Sequence, residues 1–69
     1  MRSLNFYKCV IVYGKGSDGF CYELKFDTAE FLVTIDCDVY FDNPIDCQRN
    51  AIEFCQANEF EYQEDWSNI

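Results

Sequence analysis

Between Phe31 and Asp42 the chain alternates without a break. Phe31, Val33, Ile35, Cys37, Val39 and Phe41 share one parity; Leu32, Thr34, Asp36, Asp38, Tyr40 and Asp42 share the other. A helix of period 3.6 would scatter the first set around its axis, whereas an extended strand gathers it on one face. The segment therefore reads as one long strand whose apolar face something else in the chain must cover. Its other face carries Asp36, Asp38 and Asp42, with ~6.7 Å between alternate positions. Folding is expected to depend on the apolar set, Ile35 and Phe41 in particular.

The remaining elements are read against that strand. Asn5 to Tyr13 is β-branched and aromatic on both parities, with Phe6, Val10 and Val12 against Tyr7, Cys9, Ile11 and Tyr13. That pattern predicts a strand covered on both faces, either central in a sheet or at a subunit contact, and so admits a homodimer. Gly14 to Gly19 reads as a turn tolerant of positive φ. In the following strand Phe20, Tyr22, Leu24 and Phe26 point inward and Cys21, Glu23 and Lys25 outward. Asp27 to Glu30 is a short connection.

A helix is predicted over Pro44–Ala57, with Asn43 as cap, Pro44 at the first position and Asp46 beside the positive end of the dipole. Its apolar arc is Ile45, Ala51, Ile52, Phe54 and Cys55, and Asn58 is expected to end it in a left-handed conformation. Phe60, Tyr62 and Trp66 alternate with acids and read as a last strand. The expected fold is one α+β domain over residues 1–69, a small antiparallel sheet in the order β-β-β-α-β with one helix on one face.

Most chemistries lack their residues. The chain has no histidine, the usual general acid or base and a common metal ligand. Its five cysteines are odd in number and form no CxxC pair, so they are expected as reduced, mostly structural thiols rather than zinc ligands. Cys47, near the helix start, would feel the dipole, but Asp46 beside it opposes a thiolate. The run from Asp36 fails as an EF-hand because Tyr40 and Phe41 occupy its fifth and sixth positions. "GKGSDG" lacks the spacing of a phosphate-binding loop. No enzyme activity, metal or cofactor is expected. "MRSLNFYKC" has no apolar run of signal length, and the expected compartment is the cytoplasm.

Charge is the stronger signal. The net charge is −8, and it is polarised along the chain. Residues 1–25 hold four basic groups and two acids; residues 26–69 hold only Arg49 against eleven acids. Direct binding of nucleic acid or of an anionic membrane would need the opposite balance. A basic protein or nucleoprotein surface is the expected partner. The candidate contact residues are Asp36, Asp38, Tyr40 and Asp42 on the long strand, Asp46 and Glu53 on the helix, and Glu59 and Glu61 in the tail. Carboxylates at such intervals can stand in for backbone phosphates, and Tyr40 would anchor the contact.

In size and charge the chain resembles the small acidic inhibitors encoded by bacteriophages, of the anti-CRISPR and anti-restriction type. That resemblance implies occupation of a basic nucleic-acid groove, in a CRISPR effector or another host nuclease, inside the host cell. Two other readings fit the same composition: an immunity or antitoxin-type protein sequestering a basic toxin, and a structural or assembly subunit.

Overall fold

The patterning produces β1 (Lys8–Gly16), β2 (Gly19–Asp27), β3 (Leu32–Asp36), α1 (Pro44–Ala57) and β4 (Glu61–Asp65). The structure, a computed structural model, describes residues 7–27 and 32–69. Phe6 and Phe31, expected on apolar faces, and residues 28–30 of the expected connection lie outside the described residues. The strands form one sheet in the order β3-β2-β1-β4, and with one helix the fold is α+β.

The sheet is mixed rather than antiparallel throughout. β1 pairs antiparallel with β2 and β2 with β3, but β4 lies parallel to β1. The cause is a count of reversals. β3 runs in the direction of β1, and α1 then carries the chain back along the sheet. β4 therefore starts where β1 starts, with Glu61 beside Lys8, and fills the open side of β1. That leaves β1 in the interior of the sheet and β3 and β4 at its edges.

The β1–β2 hairpin turns on Ser17 and Asp18, between the paired Gly16 and Gly19. Gly19 has φ 130°, and a Cβ there would stand 2.5 Å from the Phe41 carbonyl oxygen. Only glycine meets both conditions.

The core lies between one sheet face and the helix. Cys9, Ile11 and Tyr13 of β1 and Tyr22, Leu24 and Phe26 of β2 meet Cys47, Ala51 and Cys55 of α1. The three helical residues are spaced by four, a narrow stripe of small side chains that lets the helix sit close to the sheet. The broader arc expected from the sequence does not form: Ile45 is 64% exposed and Phe54 39%. Ile35 is also 38% exposed, so the core rests on Ile11 and Leu24 rather than on Ile35. Val10 and Val12, expected under a second layer, lie half-buried on the open face of the sheet.

The helix ends are built locally. The Asp46 amide donates to Asn43 Oδ1 at 2.9 Å, and Asn43 Nδ2 donates back to Asp46 Oδ2 at 3.0 Å. At the other end Asn58 has φ −102°, and the left-handed residue is Glu59, one position later than expected, at φ 60°. The Glu59 amide donates to Gln56 O and the Phe60 amide to Cys55 O, a Schellman closure. Phe60 then packs edge-on against Phe26, with ring centroids 4.9 Å apart.

All five thiols are free. Cys9 Sγ and Cys55 Sγ lie 3.8 Å apart between β1 and α1. Burial pushes the Cys47 thiol up to about 11 and that of Cys55 up to about 12. Both stay protonated near neutrality and act as small core hydrophobes.

Candidate functional site

The long strand expected over residues 31–41 is interrupted. Pairing with β2 continues through Cys37, whose amide donates to Tyr22 O at 3.2 Å, and resumes where Phe20 and Phe41 exchange two bonds of 2.8 Å. β2 advances two residues between these pairs while the opposing chain advances four, so two residues are extra. They bulge out as part of the exposed segment 38–40. Cys37 closes the detour. Its Sγ accepts the Tyr22 amide at 3.4 Å and donates to Val39 O at 3.1 Å. Such bulges redirect side chains where they occur.

The bulge breaks the single carboxylate row into parts. Asp36 remains on β3, on the face away from the helix, while Asp38, Tyr40 and Asp42 lie beyond the strand end, all exposed. Tyr40 returns toward Asp36 and lines with it a shallow depression of about 350 Å³ on the open face. Asp38 instead lines, with Asp36, a groove of about 180 Å³ on the helix side. Asp46 sits in the first turn of α1, with Oδ1 3.8 Å from Arg49 Nη1. Glu53 lies on the outer surface of the helix. Glu59 occupies the left-handed position after α1. Glu61 opens β4, with Oε1 4.0 Å from Lys8 Nζ. The eight candidates therefore occupy several surfaces: the open face, the bulge, the helix and the tail.

Register brings two further carboxylates to the site, Glu23 and Asp65. Glu23 pairs with Asp36 on one side and with Val12 on the other, and Val12 pairs with Asp65. Asp36, Glu23, Val12 and Asp65 thus cross all four strands in a line, with neighbouring strands about 4.8 Å apart. The Ser67 hydroxyl and amide both donate to Asp65 Oδ1, which fixes that carboxylate and holds it below its usual range. The outward parity of Glu23 is plain in the sequence; its alignment with Asp36 needed the hairpin register.

The next line across the sheet reads Thr34, Lys25, Val10 and Gln63. Lys8 and Lys25 border a second depression, about 410 Å³, at that end of the open face. The open face is thus acidic toward the bulge and mixed toward the start of β1.

Two ion pairs are present among the described residues, Lys8–Glu61 and Arg49–Asp46, both exposed and long. Pairs of that kind contribute little. Among the described residues no group of three or more His, Cys, Asp or Glu is arranged to hold a metal ion. No described helix is long and apolar enough to cross a membrane. Compared with protein-family models, curated proteins and solved structures, the chain matches none.

Proposed function

We propose that this chain is an acidic binding protein that inhibits a nucleic-acid-handling partner by covering its basic surface, acting in the cytoplasm and performing no chemistry of its own. The observation that carries the reading is the line Asp36–Glu23–Asp65 on the open face, with no cation within ion-pair distance of any of them among the described residues. Carboxylates held on a sheet keep fixed spacings, which a cationic groove shaped for phosphates can accept. Tyr40, 53% exposed beside this line, offers an aromatic anchor of the kind common at binding hot spots.

The test is capture from a bacterial lysate on the immobilised chain at low salt, followed by elution in parallel with salt and with duplex DNA. The expected result is a protein with a basic nucleic-acid site, released by either eluent. Charge reversal of Asp36, Asp38 and Asp42 in a folded variant is expected to slow its association. Retention that neither salt nor DNA disturbs would overturn the reading. A captured protein released by salt but not by DNA would point instead to sequestration of a basic toxin.

A further inference from the structure

Resting on that reading of a cationic partner, we propose how the partner is held: an extended segment with alternating apolar and Lys or Arg residues adds as a strand to the free edge of β3, its apolar side chains entering the groove between β3 and α1.

The edge comes first. Tyr22 and Cys37 form a hydrogen-bonded pair, as do Phe20 and Phe41. Antiparallel pairing alternates, so Leu24/Ile35 and Phe26/Val33 are the other bonded pairs. The amides and carbonyls of Leu32, Thr34 and Asp36 then point away from β2. β3 is the last strand of the sheet on that side, and among the described residues nothing pairs with these groups. An unpaired edge is a template for an added strand.

The groove comes second. The helix packs over β2, β1 and β4, which leaves the helix-side face of β3 partly bare. Leu24, Ile35, Val39 and Phe54 wall a groove of about 180 Å³ there, with Asp36 and Asp38 at its mouth. Ile35, Val39 and Phe54 are 38%, 57% and 39% exposed, an unusual grouping for a chain with so small a core. Tyr22 Oη, on its floor, already donates to Asn50 Oδ1 at 2.7 Å. The groove therefore asks for apolar atoms.

Sheet geometry joins the two observations. A residue set opposite Ile35 in an added strand shares its face and reaches toward Phe54. The residue next to it falls opposite Asp36 on the open face, beside Glu23. Apolar side chains belong at the first position and cations at the second, which gives the alternation. A second copy of this chain meets the apolar requirement but brings its own net charge of −8, so charge complementarity selects a cationic segment.

The experiment uses three labelled eight-residue peptides of equal charge: alternating Ile and Lys, the same composition in blocks, and Lys with Gly in place of Ile. Binding is read by fluorescence anisotropy across a salt series, and amide shifts of the labelled protein are followed by NMR. The alternating peptide is expected to bind about tenfold or more tighter than either control, as strand addition with filled pockets requires. The largest shifts are expected at Thr34 and Asp36. Thr34→Pro, which removes an outward amide that the sheet does not use, and Phe54→Ala should each abolish the preference.

Equal binding of all three peptides would overturn strand addition while leaving recognition of cations intact. Binding of none of them would overturn both readings. Concentration-dependent pairing of β3 with itself, seen by sedimentation and the same amide shifts without peptide, would assign the edge to a second copy and overturn the proposal.

Discussion

Tyr13 and Glu64 form the contact whose removal is most informative. Tyr13 is fully buried, its ring stacks on Trp66 with centroids 3.7 Å apart, and its hydroxyl donates to Glu64 Oε2 at 2.8 Å. Gln48 Nε2 donates to the same oxygen at 2.7 Å, so one exposed carboxylate ties β1, β4 and α1 together. Tyr13→Phe keeps the ring and its stacking. Glu64 loses one donor but retains Gln48 and regains water, so no acceptor is stranded, and the cost should be about 1–2 kcal/mol. Glu64→Ala is worse, about 2–3 kcal/mol, because it leaves a buried hydroxyl without an acceptor.

The decisive variant combines them. With Ala at position 64 the Tyr13 hydroxyl is a liability, so Tyr13→Phe should become neutral or stabilising. The coupling energy would be about 1–2 kcal/mol. Urea unfolding followed by Trp66 fluorescence, the single tryptophan of the chain, reads the site directly. In a domain of this size each 1 kcal/mol moves Tm by about 4–8 °C. Additive losses in the double variant, or no measurable loss from Tyr13→Phe alone, would refute the reasoning.

Gly19→Ala should cost about 1–3 kcal/mol and speed amide exchange at Phe20 and Phe41, since the new Cβ meets the Phe41 carbonyl in an unfavourable backbone region. Gly16→Ala, with nothing within 4 Å, is the mild control. Stability should fall above about pH 9. Burial raises the folded-state values of Cys47 to about 11 and of Cys55 and Tyr22 to about 12, so the unfolded chain releases these protons first. Each group then removes up to about 1.4 kcal/mol per pH unit between its unfolded and folded values. A urea midpoint unchanged from pH 8 to 11 would contradict this. Glu23→Gln should stabilise the fold by up to about 1 kcal/mol by relieving like charge opposite Asp36, and a loss of stability would count against the carboxylate line.

The start and span of the helix were legible. Asn43, Pro44 and Asp46 marked its start, and the Pro44–Ala57 span is the one observed. Its cause is local, as caps act within one turn. The inward face of β2 was legible for the same reason, because the period of two belongs to the strand itself, whereas β1 is apolar on both parities and did not show which one would meet the helix. The bulge after Cys37 was not. An insertion of two residues preserves parity, so Phe41 still falls on the face of Ile35 and the apolar alternation runs on as if the strand were continuous. The width of the helix's buried stripe was hidden as well. Ile45 and Phe54 have core chemistry, but the helix turns only the stripe Cys47, Ala51 and Cys55 onto the sheet and leaves them exposed. For the candidate site, the face of Asp36 was readable, but that of Asp38 and the neighbourhood of each were not. Tyr40 and Asp36 come together only through the bulge, and Glu23 joins them only through the hairpin register.

The position of the carboxylate line explains how so small a domain tolerates it. Glu23 and Asp36 are a non-hydrogen-bonded pair, the closer of the two antiparallel kinds, with Cβ atoms about 4.5–5.5 Å apart. Facing water, two such charges repel by only about 1 kcal/mol, because the dielectric constant is high. On the helix side the same pair would lose that screening. The open face is therefore where acids can accumulate while Ile11, Leu24 and Tyr13 hold the fold from the other side. Covering that face with an apolar partner would lower the local dielectric and raise the repulsion. Covering it with cations would turn the same field into attraction. On the proposed function, the sheet would therefore discriminate against neutral partners by an energy that grows as water is excluded.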